Sequence, residues 1–74
     1  MRNKNSKTAT IVTTYSADLG LVLNWLLLNK AIVFRGDPYE TKRGLYASRV
    51  KSKVSKKELS SLVKDRFGIF AKVL

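Results

Sequence analysis

The chain predicts a small α+β domain of element order β-α-β-β-α-β, and three observations carry that prediction. Thr8 to Tyr15 is rich in β-branched residues. An apolar arc at helical spacing follows at once, through Leu19, Val22, Leu23, Leu26 and Leu27. Ser55 to Glu58 then has capping-box spacing, directly after a stretch that alternates small or apolar residues with cations.

The elements follow in order. Residues 1–7 are polar and basic, with Arg2, Lys4 and Lys7, and read as a flexible arm ahead of one domain spanning 8–74. Thr8 to Tyr15 is the first strand. Ser16 is the expected N-cap of the first helix, with Asp18 in its first turn, where the helix dipole favours an anion. That helix runs to about Asn29. Beyond its main apolar arc, past Gly20 and Asn24, lies a second seam of Leu21, Trp25 and Leu28. One seam covers a sheet; the second either wraps the edge of the core or forms a homodimer or partner patch.

Ala31 to Phe34 is a short second strand, and Arg35-Gly36-Asp37-Pro38 has turn chemistry. Tyr39 to Arg43 extends this into a long connection to a third strand starting near Gly44. A connection of that length exceeds ordinary hairpin loops, and long loops are more often functional. On the third strand Leu45, Ala47, Arg49, Lys51 and Lys53 share one face, and Tyr46, Ser48, Val50, Ser52 and Val54 share the other. The second set is the expected core face. It ends in Val54, which with Leu59 brackets the Ser55/Glu58 box as a hydrophobic staple. The second helix turns Leu59, Leu62, Val63 and Phe67 inward. Gly68 suits the position just past its end, with Ile69 as the accompanying apolar contact, and Phe70 to Leu74 is a last strand.

This order is that of the ferredoxin-like, split-βαβ arrangement: a four-stranded antiparallel sheet, strands one and three central, two helices on one face and the other face open.

Composition bounds the function. The 74 residues carry fifteen Lys and Arg, five Asp and Glu, no Cys and no His. Disulfides, thiolate or histidine zinc sites and a histidine base are therefore excluded, and a reducing, cytoplasmic setting suits the chain. No cofactor is implied. The longest apolar stretch, Leu19 to Leu28, is interrupted by Gly20 and Asn24 and is too short to cross a bilayer, so no membrane role is expected.

The net charge of +10 is segregated: residues 1–14 carry +3, residues 15–41 carry −1, and residues 42–74 carry +8. Segregation of this kind points to a polyanionic partner. The candidate contacts are Lys42, Arg43, Arg49, Lys51, Lys53, Lys56, Lys57 and Lys64, with Lys72 and the arm in support. Lys56 and Lys57 fall in the first turn of the second helix, where the dipole disfavours them, as a phosphate site would require.

An RNA-recognition signature would place aromatics two residues apart on the outer face of the third strand. Arg43-Gly44 fits its start, but Leu45 and Ala47 hold those two positions. The strand is thus expected to grip backbones rather than read bases. Of the acids, Asp18 and Glu58 sit at helix starts and Asp37 and Glu40 share a loop; none has a nucleophile–base partner, and a metal-dependent enzyme would rest on Asp18 or Asp37 alone. The expectation is a non-enzymatic nucleic-acid-binding protein of RNA or DNA. The alternative is a protein-interaction module that docks on an acidic protein through Leu21, Trp25 and Leu28.

Overall fold

A computed structural model describes residues 7–74. The strands are β1 (Lys7–Thr13), β2 (Ile32–Arg35), β3 (Tyr39–Glu40), β4 (Tyr46–Ser52) and β5 (Ala71–Val73), and the helices are α1 (Ser16–Leu28) and α2 (Lys56–Phe67). The expected arm falls largely outside the described residues. Its last residue, Lys7, is the first of β1 and lies opposite Ser52.

The strand order is β2-β4-β1-β5, every neighbouring pair antiparallel, so the long strands β1 and β4 are central. Among the described residues the count is five strands rather than four, because part of the segment expected to be a long loop is ladder. β2 and β3 both pair with β4 and together form one edge. Between them the Gly36 N–H donates to the Arg49 carbonyl at 2.7 Å, and the Ser48 hydroxyl donates to the Gly36 carbonyl at 2.9 Å. A Cβ on Gly36 would stand 3.2 Å from that Arg49 carbonyl, so the close approach suits glycine. Only Asp37 and Pro38 interrupt the edge, and Pro38 has no N–H to give a ladder. The remaining loop is tight. Thr41 N–H donates to Leu45 O at 2.7 Å, and Gly44 takes φ +80°. Backbone groups satisfied by β4 need no loop function to account for them.

One core lies between the sheet and both helices. Ala9, Ile11, Ile32, Val50 and Ala71 meet Leu19, Val22, Leu23 and Leu26 of α1 and Leu59 and Val63 of α2. The expected inner face of β4 is observed: Ser48, Val50 and Ser52 are buried and Tyr46 and Val54 are half-buried. The Ser52 hydroxyl donates to Val54 O at 2.8 Å and accepts from Val54 N–H at 3.1 Å, which holds the turn from β4 into α2. Ser55 caps α2 as expected, its hydroxyl accepting from Glu58 N–H at 3.1 Å.

Three local expectations are corrected. Ser16 is the first helical residue, not the cap. Tyr15 is extended, at φ −120° and ψ 142°, and its carbonyl accepts from Leu19 N–H and from the Thr13 hydroxyl. At the far end of α1 the chain closes on Lys30 at φ +60°. Ala31 N–H donates to Leu26 O and Lys30 N–H to Leu27 O, a Schellman closure without glycine. Gly68 does end α2, but at φ 64° and ψ −134°, outside the left-handed helical region. That conformation sends the chain into a 3₁₀ turn, Gly68–Phe70, and leaves Ile69 96% exposed, so the expected apolar contact is not made. The last strand accordingly begins at Ala71. Its pairing with β1 continues past Val73 through two backbone bonds between Thr10 and Leu74.

Candidate nucleic-acid interface

Both helices take one face of the sheet, so the other face is available to a partner. Its side chains follow from the register. One row across the sheet holds Phe34, Lys51 and Thr8; the next holds Arg49 and Thr10; a third holds Tyr39, Ala47, Val12 and Lys72. Arg49, Lys51 and Lys72 are exposed. Arg49 and Lys51 stand about 6.6 Å apart along β4, as same-face residues of a strand do. Ala47 is buried although it faces outward, because its single methyl lies between Val12 and Tyr39.

The eight cations singled out from sequence do not form one patch. Arg49 and Lys51 lie on the open face. Lys53, Lys56 and Lys57 cluster where β4 ends and α2 begins, all exposed. Lys53 is anchored there by its N–H, which donates to Ala31 O at 2.9 Å. Lys42 and Arg43 are exposed in the tight turn at the opposite end of β4, about 20 Å away by strand rise. Lys64 is on the outer side of α2 and lines a groove beside β5 with Lys72. The backbone donors at the start of α2 are partly used, since Glu58 N–H is taken by Ser55 and Leu59 N–H by the Ser55 carbonyl.

Two residues of this face escaped the sequence reading. Phe34 is 53% exposed and Tyr39 is 47% exposed, and both border the open face from the edge formed by β2 and β3. The Lys51 ammonium lies 6.0 Å from the Phe34 ring centroid, over its face. Period two puts Ile32 and Phe34 on one side of a strand. A register shift between them puts Ile32 in the core opposite Ser52 and Phe34 outside opposite Lys51. No local signal in Ile-Val-Phe announces such a bulge.

The second seam of α1 divides. Leu21 and Leu28 are exposed, but Trp25 is half-buried. Its ring meets Phe67 edge-on at 5.6 Å, and the Arg66 guanidinium lies 5.9 Å from its centroid. Trp25 therefore joins the two helices. Among the described residues no group of three or more His, Cys, Asp or Glu side chains is placed to hold a metal ion. No helix is long and apolar enough to cross a membrane among those residues. Comparison with known proteins finds no matching family model, no similar curated protein and no similar solved structure.

Proposed function

We propose that this chain is a non-enzymatic nucleic-acid-binding protein, directed to backbones and weakly specific for sequence. It works in a reducing, cytoplasmic setting, on a ferredoxin-like sheet whose β2–β4 connection adds a short strand. The observation that carries this reading is the placement of Arg49 and Lys51 on the open face of a central strand, with Lys72 two strands over. Cations at regular spacing on a surface that neither helix covers are suited to successive phosphates. Lys53, Lys56 and Lys57 extend the same field past the end of β4.

The test is charge reversal. Lys51→Glu/Lys53→Glu/Lys56→Glu is expected to abolish binding to a 20-nucleotide probe in fluorescence anisotropy while the melting transition persists. In the unaltered protein, affinity for duplex falls with salt by roughly 0.9 log units per log unit for each phosphate contact. Full affinity in the triple variant would sink the reading.

A protein-interaction module remains the second reading, supported by the exposed Leu21 and Leu28 on α1. It has lost its best anchor, because the Trp25 ring is engaged by Phe67 and Arg66 within the chain.

A further inference from the structure

Resting on the polyanion reading, we infer that the open face selects single-stranded nucleic acid by stacking bases on Phe34 and Tyr39. The two rings flank one side of the face, and the cations lie inward of them. Phe34 is directly across from Lys51, and Tyr39 is directly across from Ala47. Lys51 and Ala47 are four residues apart on β4, so the rings are about 13 Å apart along the edge. Between those two rows lies Arg49, opposite Thr10, with a planar guanidinium available to a phosphate or a base.

Three features favour an unpaired strand over a duplex. An exposed ring offers a free π-face to any base, and stacking of this kind tolerates sequence. Bases in a duplex are already stacked and are extruded only at a cost of several kcal/mol. Beyond Arg49 and Lys51 the face is low, made by Thr8, Thr10 and Val12 of β1, and Ala47 beside Tyr39 is low as well, so a flexible strand can lie across it with its bases turned to the rings. A shallow groove of about 270 Å³, lined by Thr8, Phe34, Arg49, Val50 and Lys51, sits at the Phe34 end. Lys51 covers one side of the Phe34 ring, so a base takes the other side while the ammonium meets its phosphate. The small outward residue Ala47 thus gains a role: a large side chain there would crowd Tyr39 out of the face.

The test compares one 20-nucleotide oligothymidine with a 20-base-pair duplex at fixed salt, by fluorescence anisotropy. Phe34→Ala and Tyr39→Ala are each expected to lose about tenfold affinity for the single strand, with less than a threefold change for the duplex. Both side chains are about half exposed, so the variants keep the fold, which thermal melting checks. Phe34→Leu keeps apolar bulk without a π-face and is expected to behave like Phe34→Ala. Equal losses on both probes, or full single-strand affinity in Phe34→Leu, would overturn the stacking inference alone. If the double alanine variant binds as tightly as the unaltered protein while Lys51→Glu/Lys53→Glu/Lys56→Glu does not bind, stacking is refuted and the phosphate reading stands. Failure of the unaltered protein to bind either probe overturns both.

Discussion

β4 and β2 are hydrogen-bonded neighbours, yet they treat alternation differently. β4 keeps strict period two: Ser48, Val50 and Ser52 are at most 1% exposed, while Arg49 and Lys51 between them face solvent. β2 breaks it after one residue, with Ile32 at 2% exposure and Phe34 at 53%. The difference lies in how many sides are paired. β4 is bonded to β1 along one side and to β2 and β3 along the other, so an extra residue would disrupt two ladders. β2 is bonded on one side only and takes up the extra residue as a bulge. The central strand therefore supplies the cations in fixed register, and the edge supplies the aromatic rings.

The largest expected effect tests the fixed register. Val50→Asp places a carboxylate in the core opposite Ala9, at a cost of several kcal/mol, and a domain of this size has little stability in reserve. The cooperative thermal transition seen by circular dichroism should vanish. Lys51→Asp, one residue further on, should melt within a few degrees of the unaltered protein and lose nucleic-acid affinity instead. Similar behaviour of the two variants would break the two-faced reading of β4.

A smaller effect is expected at the end of the same strand. Ser52→Ala leaves Val54 N–H without its acceptor at the entry to α2. The loss is about 1–3 kcal/mol, or roughly 4–8 °C in Tm for each kcal/mol.

The smallest effect concerns β2. Deleting Val33 removes the bulge residue, while Ile32 opposite Ser52 and Phe34 opposite Lys51 already face consecutive β4 residues. The shortened strand should pair regularly with the same partners, melt within about 5 °C of the unaltered protein by the surface-change range, and keep single-strand affinity. Amide hydrogen exchange at Phe34 would report the repaired ladder. A large loss of stability would show that the bulge is needed for the edge to follow β4.

Much of the site was legible because β4 obeys local rules. The outward placement of Arg49 and Lys51 followed from Val54 at the end of the opposite parity, and Val54 was fixed by the Ser55–Glu58 box; Lys53, given the same face by parity, instead lies past the end of β4, in the turn into α2. The same reading misjudged Tyr39 to Arg43, because a ladder bond such as Gly36 to Arg49 joins residues thirteen apart and leaves no periodic mark. It misjudged Ile69 because Gly68 left α2 with ψ −134°, and glycine's own freedom makes that angle unpredictable locally. Lys42 and Arg43 were grouped with Lys53, Lys56 and Lys57 by sequence proximity, but a seven-residue strand separates two of these clusters by its whole length.

What the sequence determined by itself was the apolar arc of α1, the cap of α2, the two faces of β4 and the segregation of charge. These depend on side-chain spacing against a fixed backbone period, which the chain carries in its own order. Tertiary structure decided what the second strand would do, and through it the composition of the open face. Whether Val33 is accommodated as a bulge depends on the partner strand, on the Schellman closure that delivers Ile32 to the core, and on the Ser48–Gly36 bond that holds the far side of the edge. Phe34 therefore meets Lys51, and Tyr39 takes its place opposite Ala47, only after the sheet has formed.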